Sequence, residues 1–598
     1  MNPAGVIAAP ARKVLLGAAE VETRQRADGS ILLRSPYRLD AYPDKITERL
    51  AYWAREVPQR AFIAQRDAKG NWRALNYAET FARVRAIGQA LLDRGLSQER
   101  PVAILSDNDI EHALLALACM HVGVAHVPVS PAYSLVSTDF AKLKFVMALL
   151  TPGLVFAADG ERFAKAIAAT VPAGTEIMFG NRFSELEATQ ATAAVEQAHA
   201  TVGPDTIAKF LLTSGSTGQP KAVINTQRML CSNQQMLAQS LPSLRTAPPV
   251  LVDWLPWNHT AGSNHNLGIV LYHGGTLYID EGKPVPGLIE KTVRNLREVG
   301  PTIYFNVPRG YEALLPFLRE DAALRKTFFS RLGLLQYAAA VLPQAIWKAY
   351  EELAIEACGE RILWITGYGA TETAPAAMFT NRGAARAGTV GLPVDGIEMK
   401  LAPVADKLEA RFRGPSITPG YWRQPELTKA AFDEEGFYRT GDAMRLADPA
   451  DPAQGMEFDG RITEDFKLTT GTWVSVGPLR AKINSACSPL VQDVVITGHD
   501  RDRLGALVFP NVAACRDLSR DALRALLQEA FDRLAGNSTG SSTRIARALV
   551  MEVPPSIDAS EITDKGSINQ RAVLKNRASQ VEQLYAEPPG PAIIVSST

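Results

Sequence analysis

The chain has 598 residues, 46% of them hydrophobic, and 63 basic side chains balance 63 acidic ones. That balance leaves no global field to attract nucleic acid or an anionic membrane, so any anion has to be caught locally. The five cysteines (Cys119, Cys231, Cys358, Cys487 and Cys515) are far apart without metal-type or CxxC spacing, which fits structural thiols in a reducing compartment.

The first residues, MNPAGVIAAPARKVLLGAAE, are broken by Pro10, Arg12 and Lys13 before an apolar run reaches signal-peptide length, so a cytoplasmic protein is expected. Ala113 to Val129 is the longest apolar stretch. It carries His121 and His126 and falls short of the ~20 residues of a bilayer span, so it reads as a buried helix running into a buried strand. PVAILSDN before it and VAHVPVS after it are β-type runs. APPVLVDWLP, a glycine-rich helix and GTLYID repeat the alternation later. Strand–helix–strand units predict an α/β body of mostly parallel sheets covered by helices. From Gly391 to Arg445 the pattern alternates with Gly/Pro turns, which predicts a small antiparallel subdomain. A charged turn, GRITEDFK, suggests a boundary near Gly460. It divides an N-terminal domain, 1–462, from a smaller α+β C-terminal domain, 463–598.

Local chemistry concentrates in a few strings. In LLTSGSTGQPKAV an apolar strand runs into Thr213, Ser214, Gly215, Ser216, Thr217 and Gly218, with Lys221 following. Glycines let successive amide hydrogens converge, hydroxyls add donors and the lysine adds charge, so the loop suits phosphate oxygens. An ordinary hydrophilic turn has the same composition, and the spacing is not that of the P-loop NTPases. GYGATETAP carries Tyr368, Thr371 and Glu372, YRTGD carries Asp442, and Arg461 opens GRITEDFKLTTGTW. Lys565 lies in EITDKGSINQR, where Ser567 and Gln570 read as a capping box at the start of a helix. A lysine there would add its charge to the positive helix end.

In order and spacing these strings resemble the adenylate-forming superfamily of acyl-CoA synthetases, adenylation domains and luciferases. TSGSTGQPK resembles its signature loop, and FKLTTGTWVSVGPLR with EITDKGSINQRAVL resembles bacterial feruloyl-CoA synthetases. The resemblance implies an enzyme that activates a carboxylate with ATP and Mg²⁺ as an acyl adenylate, then transfers the acyl group to coenzyme A. It implies that Thr213 to Lys221 grip the departing phosphates, Glu372 helps hold Mg²⁺, Tyr368 faces adenine, and Asp442 and Arg461 meet the ribose. Lys565, with Thr371 and His259, would act at the reacting groups. Gly471, Thr472 and Trp473 would flank pantetheine after the C-terminal domain swings. Asn258, Phe305, Ala338, Ala339, Gly369, Thr373, Ala374 and Pro375 would line the acid pocket, with small residues leaving a flat slot for an aryl acid. The family's hinge is aspartate or lysine two residues after the arginine. Here Thr463 stands at that place, with Glu464 and Asp465 as alternatives.

The partners implied are a small aromatic acid such as ferulate, ATP and CoA. Neither nucleic acid nor a membrane span is expected, and the oligomeric state stays open, a homodimer included. A ligase for benzoate or a medium-chain fatty acid, an adenylation enzyme loading a separate carrier protein, and a non-catalytic nucleotide-binding relative are the competing readings.

Overall fold

A computed structural model describes residues 9–214, 218–380, 388–512, 514–563 and 566–597. Two of its sheets are built on the predicted units. In a six-stranded sheet Pro220–Thr226 borders Ile207–Ser214, then His126–Pro128, Val102–Leu105, Leu154–Ala157 and Glu176–Phe179 follow, parallel apart from the first pair. The apolar stretch folds as expected, as the helix Ile110–Val122 followed by the strand His126–Pro128. Asp109 starts the helix by accepting the His112 amide at 2.6 Å, and Gly123 ends it in the left-handed conformation. All but one of its residues are buried, which its near-continuous apolar sequence requires once helices and sheet enclose it.

The segment from Gly391 to Arg445 is antiparallel, as expected. Its strands are not a separate sheet: Glu398–Val404, Lys407–Arg413, Tyr438–Leu446, Met456–Arg461 and Thr389–Pro393 continue through Ala376–Phe379 into the parallel strands Leu363–Gly369, Leu334–Tyr337 and Ile303–Asn306. The hairpin Glu22–Gln25 and Ile31–Arg34 extends the other edge. The alternation in sequence marked half-covered strands correctly, but it carries no information on which sheet they join.

Beyond Arg461 come a short hairpin, Phe466–Lys467 with Trp473–Val474, and a four-stranded sheet of Val491–Thr497, Leu504–Pro510, Ile545–Val550 and Ile593–Val595. This part has its own apolar core around Val494, Leu527, Phe531 and Ile594. It also packs on the body. Asp558 accepts the Thr138 amide (2.9 Å) and hydroxyl (2.8 Å), Lys142 donates to the Ile557 carbonyl (2.6 Å), and Ile557 joins the core around Phe210 and Leu212.

The capping box is a misreading. Asn569 caps the helix Gln570–Asn576 by accepting the Ala572 amide, while the Gln570 side chain bonds both the amide and the carbonyl of Ile496 on the neighbouring strand. Cys119, Cys231 and Cys487 are buried, and all five thiols are free. Among the described residues no helix is long and apolar enough to cross a membrane.

Candidate active site

The two strands that flank the glycine-rich segment pair antiparallel. Thr213 and Ser214 end one strand, and Lys221 and Pro220 stand opposite them in register on the next. Gly215, Ser216 and Thr217 lie outside the described residues, as does Lys565. Lys221 places its ammonium over the Tyr421 ring, 4.8 Å from the centroid. Tyr421 in turn donates its hydroxyl to Glu372 Oε1 at 3.1 Å. One tyrosine therefore joins the lysine of the hairpin to the carboxylate of the GYGATE string.

Glu372 is buried, and its short turn is fixed from several sides. Its carbonyl accepts the Thr418 amide at 2.8 Å, and Thr418 also donates its hydroxyl to the Ile224 carbonyl at 2.7 Å. Asn233, wholly buried, donates to the Ala376 carbonyl (2.8 Å) and accepts the Ala376 amide (3.2 Å). Thr371, Thr373 and Ala374 are buried in this turn. Gly369 is small for a reason other than the expected slot: a Cβ there would stand 1.7 Å from the Pro375 carbonyl oxygen. The close approach inside the turn requires glycine, whatever the acid.

Tyr368, at the end of the strand Leu363–Gly369, donates its hydroxyl to Asp442 Oδ2 at 2.6 Å and stacks on Phe412 with 5.8 Å between centroids. Asp442 sits within the strand Tyr438–Leu446, directly opposite Arg461, whose Nε is 3.4 Å from Asp442 Oδ1. Among the described residues no hydrogen bond reaches that Oδ1, although it is buried. Burial raises the Asp442 carboxyl above its ordinary range, and Arg461 and Tyr368 work against that rise. An orphaned carboxylate oxygen beside an aromatic ring and an arginine fits the two hydroxyls of a ribose.

Asn258 and His259 are half-buried at the start of an irregular helical segment, Ala261–Leu267. The His259 carbonyl accepts the Ser263 amide (3.0 Å) and hydroxyl (3.1 Å). Six residues on, His265 is buried against Phe305, with ring centroids 4.8 Å apart, and takes a hydrogen bond from Gln336 Nε2 at 3.1 Å. Burial pulls its pKa down to about 4, so the ring is neutral and its other nitrogen donates to Asn266 at 2.8 Å. Ala338 is half-buried and Ala339 exposed, the latter at φ 73°.

The hairpin tip Gly471–Thr472–Trp473 forms its own unit. Thr472 accepts the Leu468 amide, Lys467 sits over the Trp473 ring at 5.5 Å, and Trp473 is half-buried. Of the hinge alternatives, Asp465 is pinned: it pairs with Lys407 at 2.6 Å and accepts the Val476 amide at 2.8 Å. Thr463 offers only its carbonyl, to the Arg571 guanidinium at 2.6 and 2.9 Å.

The described neighbours of Lys565 reach the glycine-rich hairpin. Ser560 donates to the Gly218 carbonyl at 3.5 Å, and Ser560, Ile562, Thr563 and Asn569 line one crevice with Ser214, Gly218 and Pro220. Sequence reading missed Tyr421, Asn233 and Thr418, which support the site from segments without a recognisable string.

Comparison with known proteins identifies the family of the chain. The family model for the AMP-binding enzyme matches residues 50–422, and that for the AMP-binding enzyme C-terminal domain matches residues 464–588. "Probable CoA ligase CCL8" of Humulus lupulus is 29% identical over 350 residues, 54% of this chain and 55% of that protein. "Anthranilate--CoA ligase" of Pseudomonas aeruginosa is 30% identical over 270 residues, 44% of this chain and 48% of that protein. The matched segments thus span about half the length of these curated relatives. The structure of the anthranilate CoA ligase AuaEII in complex with anthranoyl-AMP superposes with a TM-score of 0.70 at 19% identity, covering 91% of this chain and 99% of that one, which shows the shared fold. With 373 of its residues inside the first family model, the chain belongs to the AMP-binding enzyme family.

Proposed function

We propose that the chain is an AMP-forming acid–CoA ligase acting on hydroxycinnamates such as ferulate and p-coumarate. A carboxylate is a poor acyl donor because oxide would have to leave. In the first step a carboxylate oxygen attacks the α-phosphorus of ATP and pyrophosphate departs. In the second the CoA sulfur attacks the acyl carbon, the acyl–oxygen bond breaks, AMP leaves and the thiol proton passes to solvent.

The observation that carries this reading is the approach of Ser560 and Thr563 to Ser214 and Gly218. Lys565 follows Thr563 by two residues in the sequence, which supports its assignment to this site. There its ammonium would stabilise charge on the carboxylate and α-phosphate as they join, with Thr371 and His259 alongside. Thr213 to Lys221 would hold the β- and γ-phosphates, and Tyr368, Asp442 and Arg461 the nucleoside. Glu372 offers a hard, buried oxygen donor, so a Mg²⁺ ion there would take its remaining ligands from phosphates and water and screen their charge. Gly471, Thr472 and Trp473 would meet pantetheine after the segment 463–598 turns about Thr463 or Glu464. Asn258, Phe305, Ala338 and Thr373 to Pro375 would border the acid. The similarity to an anthranilate–CoA ligase supports an aryl acid.

A panel of acids offered with ATP, Mg²⁺ and CoA tests the proposal. Ferulate and p-coumarate should form thioesters with release of AMP and pyrophosphate, ahead of benzoate, hexanoate and octanoate. Preference for saturated chains would overturn the hydroxycinnamate assignment, and thioester on a carrier protein alone would overturn CoA as acceptor.

A further inference from the structure

Beside the irregular helical segment that follows His259 lies a partly open cavity of about 40 Å³, room for a few water-sized groups. Most of its wall is apolar, from Ile46, Ala116, Leu117, Met120, Leu230 and Leu271. Into this wall the strand Ile207–Ser214 sets Lys209, whose residue is only 5% exposed. Among the described residues its side chain forms no hydrogen bond and no ion pair. The titratable groups facing it are two buried histidines, His112 from the helix Ile110–Val122 and His126 from the adjoining strand. Burial holds both neutral and pulls the lysine down to about 7. An unpaired amine in an apolar wall is costly, and nothing among the described residues offsets it.

Gln234 lines the same cavity. Its Nε2 is committed to the Asn264 carbonyl at 2.6 Å, which fixes the amide's orientation and leaves its Oε1 buried without a donor. The cavity therefore combines an unused donor, Lys209, with an unused acceptor, Gln234 Oε1. Ser263 and Asn264, about one helical turn after His259 in the chain, complete the lining, and Ser263 donates its hydroxyl to the His259 carbonyl at 3.1 Å.

We propose that this cavity receives the distal end of the acid and that Lys209 and Gln234 recognise a phenolic hydroxyl there. A hydroxyl accepts from the amine and donates to the amide oxygen, so it satisfies both groups at once. A carboxylate or a methoxy oxygen only accepts and leaves Gln234 unsatisfied, and a bare ring satisfies neither. The inference rests on the hydroxycinnamate reading above and names the residues that select within it.

The test compares kcat/KM for p-coumarate, cinnamate and 4-methoxycinnamate in the wild-type protein and in Lys209→Met. The wild type should prefer p-coumarate to each of the other two by at least ~10-fold, the scale of leaving buried polar partners unsatisfied. In Lys209→Met the ratio should fall toward unity, with a Tm no lower than the wild type's because an unsatisfied buried amine is gone. Thioesters formed with no preference in the wild type, or with a preference that survives Lys209→Met, would overturn the inference while leaving the ligase intact. Should the variant not fold, the wild-type ratios decide alone. No thioester from any of the three acids would overturn the hydroxycinnamate reading, and this inference with it.

Discussion

Tyr368 donates its phenolic hydrogen to Asp442 Oδ2 across 2.6 Å, leaving Oδ1 of the same carboxylate without a hydrogen bond. The bond holds the carboxylate at a fixed angle beside the ring. A nucleotide would find its ribose acceptor already oriented, with the cost of ordering met during folding. Asp442→Asn keeps the shape but removes the charge and one acceptor oxygen. It should raise KM for ATP about 10- to 100-fold with a smaller change in kcat, as expected when a charge-assisted hydrogen bond is lost. Steady-state kinetics at saturating acid and CoA checks this. An unchanged KM for ATP would remove Asp442 from the nucleotide site.

Five histidines are buried in the fold. Burial lowers His112 and His265 to about 4, His121 and His273 to about 3, and His126 well below its ordinary value. Each is neutral when folded and has an unfolded pKa near 6.5, so below that pH the unfolded chain binds more protons. Their contribution is complete above pH 6.5 and is lost as pH falls toward 4 and 3. Urea midpoints should therefore decline steadily from pH 7 to pH 5. A midpoint that stays level over this range would mean the rings are hydrated or already charged.

Much of the site was legible because its residues travel in short strings. Tyr368 and Glu372 are four apart in GYGATE; the whole string reads as a turn, whereas the structure sets Tyr368 in a strand end and only Thr371 and Glu372 in the turn that follows. Asp442 and Arg461 were readable singly, yet their pairing across two strands was not. What stayed hidden depends on distant partners. Gln336 meets His265 across 71 positions, and Tyr421 meets Glu372 across 49. Lys209 was invisible for another reason. Five successive residues of its strand, Ala208 to Leu212, are buried, so both faces are covered and a lone lysine gives no alternation to mark its side. The capping box failed similarly, since a glutamine three residues after a serine has the same spelling whether it caps its own helix or bonds a neighbouring strand.

Gly471 adopts φ +79°, and a Cβ built on it would meet nothing within 4 Å. The space beside this hairpin tip is thus open to a ligand. Gly471→Phe should fill it, at a backbone cost of about 1–2 kcal/mol for a side chain in the left-handed region. Adenylation should continue while transfer to CoA falls at least ~10-fold, so acyl adenylate should build up on the enzyme when acid and ATP are supplied. Quenched-flow analysis of bound intermediates reads this directly. A block before any adenylate forms would contradict the assignment of the tip to thiol transfer.

The central claim is that a carboxylate is activated at the glycine-rich hairpin by the loop carrying Lys565, before CoA takes part. Acid-dependent exchange of labelled pyrophosphate into ATP, measured without CoA, isolates that step. The wild type should catalyse exchange with p-coumarate. Lys565→Ala should lose at least ~100-fold, the scale for removing a preorganised charge from a transition state, and still pass a supplied coumaroyl adenylate to CoA at near wild-type rate. Absence of exchange in the wild type, or its full retention in Lys565→Ala, would contradict the account.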